Sequence, residues 1–448
     1  MAKTKINYKP SKKIDDIVTR YKLHKEDALE YFDNCVKPRL DRSYKLYMSY
    51  NGDRSKQIKR WQANIFVPYI HGVVETLKPR ILDARPEFSV QGRTENDQIK
   101  SDKLQQLMNF DWEKAHGDTK LEDLVSSSLI FGTGFMQAYW KHDERELEFL
   151  KRTDYKKKEF TYKKEKRLFF DGPTFEYVDN YEFLYDWRNI NWESKQFFLR
   201  RKVLCGADIK RRYPMYDKKL LAAAFEANAG DLTDWATVRN DIKKNHEDIY
   251  KGADYNSGSV GGNGTNLNST RYQGSDDVDL NMYEVYEYWL PFEDGYGVFV
   301  SDLPIIKHAL NPIPYDFKDS PFIAIPFIRL PNEAEGLGIP MILESPQLML
   351  NMIKNQRLDA TTLNIHKMWI VSPLANVKKE ELVVRPFGII YSPDPNGVKE
   401  IQFSDVKSSA YREEELLKSD MRYGAGVDDF SMGQGGSSGS ATETRHLR

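Results

Sequence analysis

Ile339 to Trp369 reads IPMILESPQLMLNMIKNQRLDATTLNIHKMW, and the position of its uncharged polar residues decides how the chain is to be read. Ser345 offers an N-cap with Pro346 at the first helical position, so the spacing predicts a helix from there to about His366. Such a helix is ~30 Å long at ~1.5 Å per residue. On a helical wheel Met349, Met352, Ile353, Ala360 and Leu363 form an apolar face. Gln347, Asn351, Asn355, Asp359, Thr362 and His366 run along the other at spacings of four or three. An ordinary surface helix would carry Glu and Lys there. A face of neutral amides and hydroxyls leaves two readings open: a helix packed among others or lining a wet, confined space, or a core helix whose amides are satisfied inside one large domain.

Working outward, the 448 residues allow about three domains. With 40% hydrophobic and 30% charged residues the chain can bury a sizeable core, and 13% aromatic residues favour β-rich parts and interfaces. The net charge of −1 gives no electrostatic case for a nucleic-acid partner of the whole chain. The first sixty residues, however, hold 16 Lys and Arg against eight Asp and Glu, a basic stretch that a solvated, partner-binding arm explains as well as DNA contact does. Cys35 and Cys205 are the only cysteines and form no C-x-x-C or Cys/His cluster, which argues against a disulfide framework or structural zinc and for two buried or inert thiols. No apolar run reaches the ~18 residues of a membrane span, and no signal-peptide core follows the Lys-rich start. The expectation is a soluble protein made in a reducing cytosol.

Leu29, Phe32, Val36, Leu40, Tyr44 and Tyr47 recur at helical spacing, with Pro38 expected to kink or split the element. Pro68 and Pro79 bracket an apolar helix on Ile70, Val73, Val74 and Leu77. Two further helices fit Leu104 to Trp112 and Leu121 to Leu129, ending at Gly132-Thr133-Gly134 before a strand from Phe135 to Trp140. From Glu148 to Arg201 short aromatic alternations predict antiparallel strands, with Lys151 to Arg167 a solvated ribbon. Helical patterns return from Ala207 to Tyr250, and Gly252 to Gly274 reads as a flexible Gly/Asn/Ser loop. MYEVYEYWLP, YGVFVSD and PFIAIPFIRLP then predict a β-rich module leading into the amide-striped helix. Strands and a helix from about Asp405 to Arg422 come after it. The last residues start a helix near Ala441 too short to stand alone, so the natural chain is expected to continue past Arg448.

Catalytic signatures are missing. Eight scattered histidines form no H-E-x-x-H pair, and there is no G-x-S-x-G elbow, Walker loop or Rossmann glycine run. GTG at 132–134 lacks the Lys-Ser or Lys-Thr of a phosphate loop. Asp276, Asp277 and Asp279 read as a solvated acidic turn rather than a divalent-ion site.

Several segments, taken in order, resemble the portal, or head-to-tail connector, proteins of tailed bacteriophages, particularly the short-tailed type. They are WQANIFVPYIHGVVETLKPRILDARPEFSV, SSSLIFGTGFMQAYW, NYEFLYDWRNIN, IPFIRLPNEAEGLGIPMILESPQLMLNMIKNQRLDA and FSMGQGGSSGSATETRHL. The resemblance implies an α+β portal-like subunit that builds a dodecameric ring at one capsid vertex, with no chemistry and no cofactor of its own. Genome DNA would be packaged through the ring by the terminase and ejected toward the tail. Implied partners are further copies of the chain, the major capsid protein, the terminase large subunit, head-tail adaptor or tail proteins, and the double-stranded DNA in passage. The protein would reside in the virion at the head-tail junction, with no membrane role.

On that plan 1–60 is the basic helical arm, 61–251 the wing, 252–278 the loop and 279–335 a clip-like β module. Then 336–368 is the stem helix, 369–435 a return to the wing with an inner-tunnel segment, and 436–448 the start of a crown helix. Neutral amides would suit a channel that passes DNA without gripping its phosphates. Gln347, Asn351, Asn355, Asp359 and Thr362 are therefore the expected channel or inter-subunit face, with Lys354, Arg357, Lys378 and Lys379 as candidate DNA contacts. The rival readings are a metal-dependent nucleic-acid-processing enzyme and another ring-forming tail adaptor.

Overall fold

The computed structural model describes residues 12–51, 59, 61–83, 88–92, 97–154, 159–227, 235, 237–242, 281–293, 295–306, 311–312, 320–331, 333–365, 368–372, 397–401 and 408–427. Helix and sheet are mixed, and the chain divides into two compact units. One comprises Met1–Lys45 and Leu77–Ile339, the other Leu46–Thr76 and Pro340–Arg448.

The chain begins with α1 (Lys12–Tyr31), which passes through one π turn at Phe32–Val36 into α2 (Lys37–Tyr47). Pro38 has no N–H to give the preceding turn. The wider turn, closed by the Lys37 N–H on the Phe32 carbonyl, absorbs that loss without splitting the element. Phe32, Val36 and Leu40 are buried, as their spacing predicts. The expected basic arm is thus part of a folded unit from Lys12 onward. Tyr21 on α1 stacks on Phe299 with ring centroids 3.9 Å apart and donates its hydroxyl to the Ser301 carbonyl at 2.7 Å. Of the two thiols expected to be buried or inert, Cys35 is exposed and Cys205 part-buried.

Next come α3 (Tyr69–Leu82), α4 (Gln98–Lys114) and α5 (Gly117–Phe131). Helix α3 runs through Pro79 instead of stopping there, with Ile70, Val73 and Val74 fully buried. Gly132 ends α5 in the left-handed region at φ 92°, its N–H returning to the Ser128 carbonyl. The GTG turn serves packing: a Cβ on Gly132 would sit 2.2 Å from the Gly336 carbonyl oxygen, and the Thr133 hydroxyl accepts the Gly336 N–H.

From that turn β1 (Thr133–Asp154) and β2 (Glu159–Val178) form one long antiparallel ribbon. The chain continues through β3 (Phe183–Tyr185), β4 (Phe198–Cys205), α6 (Gly206–Arg212) and α7 (Lys218–Ala227). It then forms β5 (Met282–Leu290), β6 (Gly295–Val300), β7 (Leu303–Pro304), β8 (Asn311–Pro312) and β9 (Phe322–Pro326). One sheet runs β3-β4-β5-β6-β7 with β8 on β6, and the other runs β2-β1-β9. The strands of 279–335 are therefore no separate clip-like module. β5 pairs β4 from Cys205↔Met282 to Phe198↔Trp289, and β9 pairs the base of β1. Turn signals mark strand ends but carry no information about which strand is the neighbour. Phe135, Val178, Phe183, Phe198, Trp289 and Phe322 form the core between the sheets. Ile209, Leu221, Phe225, Tyr283, Val285 and Val300 form a second core under α6 and α7.

The other unit holds α8 (Ile339–Ile365) from Pro340 on, the antiparallel pair β10 (Met368–Val371) and β11 (Val398–Ile401), and α9 (Ser408–Ala425). Helix α8 starts six residues before Ser345, and Pro346 lies inside it. Pro340 takes the first turn, where a missing N–H costs nothing, and Leu343 gains burial. The expected loop at 252–278, the crown start at 436–448, His366, Lys378, Lys379 and Asp276, Asp277 and Asp279 lie outside the described residues.

Candidate functional site

Part of the polar face of α8 is closed off within this chain. Gln347, Asn351 and Asn355 are 0%, 7% and 0% exposed, covered by the chain's own extended segment at 63–67. Asn351 Oδ1 accepts the Val67 N–H at 2.9 Å, and Gln347 Nε2 donates to the Val67 carbonyl at 2.8 Å. Asn355 takes Ile65 at both ends, accepting its N–H at 2.7 Å and donating to its carbonyl at 2.8 Å. Asp359 accepts the Ala63 N–H at 2.5 Å. The geometry follows from two periods: four helical residues rise ~6.0 Å, and two extended residues span ~6.6 Å. Asn351, Asn355 and Asp359 therefore meet the alternate residues Val67, Ile65 and Ala63 of an antiparallel strand-like segment, with Gln347 sharing Val67, and supply its backbone N–H and C=O groups with partners. Thr362 donates to the Leu358 carbonyl of its own helix.

This corrects the expected channel or inter-subunit face at Gln347, Asn351 and Asn355. The core-helix reading describes it instead, with Asn351 and Asn355 bonded to the chain's own backbone and Gln347 bonded through Nε2, its Oε1 buried without a partner. The signal was in the sequence, as amides at a repeat of four and a proline, Pro68, closing an extended stretch. The partner segment lies about 290 residues away in sequence, and spacing alone does not name it.

The candidate DNA contacts on α8 are also engaged. Arg357 lies 2.5 Å and Lys354 3.6 Å from Glu414 of α9, which Lys418 joins at 2.9 Å. Arg357 also covers the Tyr411 ring at 4.4 Å. Burial favours the neutral Glu414 acid, but the Lys418 hydrogen bond and the charges of Lys418, Arg357 and Lys354 lower its pKa below the usual carboxylate value.

Part of what α8 turns outward is apolar. Leu348, Met349 and Met352 are 52%, 45% and 45% exposed, the two methionines being members of the apolar face read from the spacing. The burial of the amides has a physical reason: an extended backbone offers more hydrogen-bonding groups than apolar surface, so the amide face was the one it could cover. Leu416 and Tyr423 of α9, Ile365 and Ile370 are exposed in the same unit.

In the other unit a charge cluster closes the space between the sheets. Glu176 of β2 receives Arg212 at 2.9 Å, Arg200 at 3.0 Å and Lys202 at 3.5 Å. Glu287 of β5 receives the Tyr213 hydroxyl at 2.5 Å, Arg212 at 3.6 Å and Lys202 at 3.7 Å. Burial works to raise the Glu287 pKa, but Lys202, Arg212 and Arg200 outweigh it and hold the carboxyl down at about 2. Burial likewise pushes Lys202 down to about 8, against the pull of Glu287. Charged residues inside a strand run, as in FLRRKVLC at 198–205, were the available signal. The cluster pairs cations with carboxylates and presents no nucleophile beside a base.

Among the described residues no group of three or more His, Cys, Asp and Glu is placed to hold a metal ion, and no helix is long and apolar enough to cross a membrane. No protein-family model matches the sequence. No curated protein matches it either.

Proposed function

We propose that this chain is the subunit of a ring-forming bacteriophage portal, a structural protein through whose channel double-stranded DNA is packaged and later released. The observation that carries the reading is α8: Asn351 and Asn355 are closed off by the chain's own backbone, while Leu348, Met349 and Met352 are about half exposed. A helix bonded within its own chain along its amides and leaving large apolar side chains half exposed belongs in a larger assembly. The ordered resemblance of five segments to portal proteins supplies the kind of assembly. Neighbouring copies would cover the apolar face of α8. Capsid protein, terminase and tail adaptor would dock elsewhere on the ring. DNA would meet a wall assembled from parts other than Gln347, Asn351 and Asn355, and the protein would work at the head-tail junction without catalysing a reaction.

Negative-stain electron microscopy with mass photometry tests the assembly. Closed rings of about twelve subunits with a central channel are expected. Monomers or small compact oligomers across a wide concentration range would contradict the reading and favour a nucleic-acid-processing enzyme.

A further inference from the structure

The distal half of the β1/β2 ribbon has no role in the sites above. β9 lies beside β1 only at Thr133–Gln137, and among the described residues no strand lies beside β1 beyond that point or along the other edge of β2. Trp140, Phe149, Leu168 and Phe169 are exposed on it. A long ribbon with two accessible edges is a template for pairing with another chain.

The two strands differ in charge. Over 143–148, β1 carries Asp143, Glu144, Glu146 and Glu148 against Arg145. Over 163–167, β2 carries Lys163, Lys164, Lys166 and Arg167 against Glu165. The register sets Glu146 opposite Lys166 and Glu148 opposite Lys164. Lys166 Nζ lies 4.0 Å from Glu144, with both side chains well exposed. Such surface pairs contribute about 0–1 kcal/mol, so exchanging them for pairs across a new contact costs little. Protection against unwanted edge pairing asks only for charge on both strands. Segregation of sign by strand does more, because it makes the two edges unlike.

We propose that the distal ribbon is a directional self-association surface, with the acidic β1 edge of one copy lying beside the basic β2 edge of the next. Ribbons pointing the same way then continue as β2-β1-β2-β1, antiparallel throughout, because β1 and β2 are already antiparallel. A two-fold arrangement would place β1 beside β1 or β2 beside β2 and set like charges against each other, which is destabilising. The contact is head-to-tail, the class that closes into rings when the rotation permits. It rests on the ring reading for its biological setting, while the contact itself is read from charge and register.

The test uses two variants of the full chain: Glu144→Lys/Glu146→Lys/Glu148→Lys, and Lys163→Glu/Lys164→Glu/Lys166→Glu. Each alone presents two edges of one sign, and mass photometry should show at least a tenfold rise in the concentration needed for assembly. Mixed in equal amounts they should assemble again, since each reversed edge meets its opposite, and such complementation cannot arise from folding within one chain. Unchanged assembly of either variant overturns the proposal. So does failure of the mixture when both variants keep the wild-type circular dichroism spectrum.

Where a variant misfolds, cysteine cross-linking in a Cys35→Ser background decides. A chain with Glu148→Cys should cross-link to one with Lys164→Cys, and cross-linking of either to itself alone overturns the contact. Wild-type rings with unaffected variants would remove the ribbon contact and leave the ring. Complementation in open chains without rings would uphold the contact and remove the portal reading. If reversing the three lysines abolishes binding of a duplex DNA fragment and leaves assembly intact, the ribbon is a nucleic-acid surface and the proposal falls.

Discussion

Asn355 clasps Ile65 at both ends: its Oδ1 accepts the Ile65 N–H at 2.7 Å and its Nδ2 donates to the Ile65 carbonyl at 2.8 Å. A segment with no neighbouring strand among the described residues thereby obtains from a helix side chain what a sheet would have supplied. Replacing Asn355 with Leu keeps roughly the volume and leaves two part-buried backbone groups without their partner. Full burial would cost about 1–3 kcal/mol for each group left unpaired; with Ile65 itself 45% exposed, Asn355→Leu should lower the unfolding free energy by about 2 kcal/mol, the low end of the sum. Urea denaturation measures that loss, and hydrogen exchange should show the Ile65 amide deprotected first. An unchanged midpoint would mean the clasp is not made.

The paired substitution of Asn351 and Asn355 to Lys follows from the same burial. On a channel wall it would leave a folded subunit that packages DNA poorly. At positions this closed, two unpaired ammonium groups should prevent the subunit from folding. Soluble expression with a native circular dichroism spectrum would return these residues to the channel.

Met349→Glu with Met352→Glu should act in the opposite sense. Both side chains are half in solvent, so the subunit's own stability should change by no more than about 0.5 kcal/mol. Assembly should fail, because each interface would then bury two unpaired carboxylates. Mass photometry at matched concentrations separates this from a folding defect, and normal assembly would exclude this face from the interface.

Acid should weaken the subunit through the cluster of Glu176 and Glu287. The Glu287 pKa is lowered from 4.5 to about 2, so the folded chain binds its proton more weakly than the unfolded chain. The stabilisation is present above the unfolded value and is lost as pH falls from about 4.5 to about 2. A shift of that size corresponds to about 3 kcal/mol. Lys202, lowered from 10.5 to about 8, acts at the other end: the unfolded chain holds more protons between those values, so this residue adds stability as pH rises through that window. Denaturation midpoints measured from pH 2 to 10 should show the acid fall in the wild type and a shallower fall in Glu287→Gln. Equal acid slopes would remove Glu287 from the account.

Lys354 and Arg357 are committed to Glu414. Replacing both by Ala should leave the salt dependence of duplex association unchanged. A reduction in the log–log slope of about 0.9 per residue would place them on phosphate after all.

The local elements could be read from the sequence where one principle governed them. Phe32, Val36 and Leu40 recur at helical spacing and are buried, and the described parts of the Lys/Glu-rich run, 151–154 and 159–167, lie in an antiparallel ribbon. Tertiary pairing could not. Nothing in MYEVYEYWL says that it will lie beside FLRRKVLC, and that pairing removes the boundary drawn at residue 279. The amide stripe of α8 was visible as a stripe, but its meaning depended on a segment nearly 300 residues earlier. Proline was overread as a helix boundary, Pro79 as an end and Pro346 as a start, since both lie inside helices. Glu176, Arg200, Lys202 and Glu287 went unnoticed because a charge in a strand reads as an outward position unless the facing sheet is known.

The most direct test of how α8 is used is a cryo-electron microscopy reconstruction of the assembled protein in which its side chains are resolved. We expect Leu348, Met349 and Met352 buried against a neighbouring subunit, with Asn351 and Asn355 still on Val67 and Ile65 of their own chain. Those three apolar side chains left in solvent, or Asn355 released from Ile65 and facing a channel, would contradict the account.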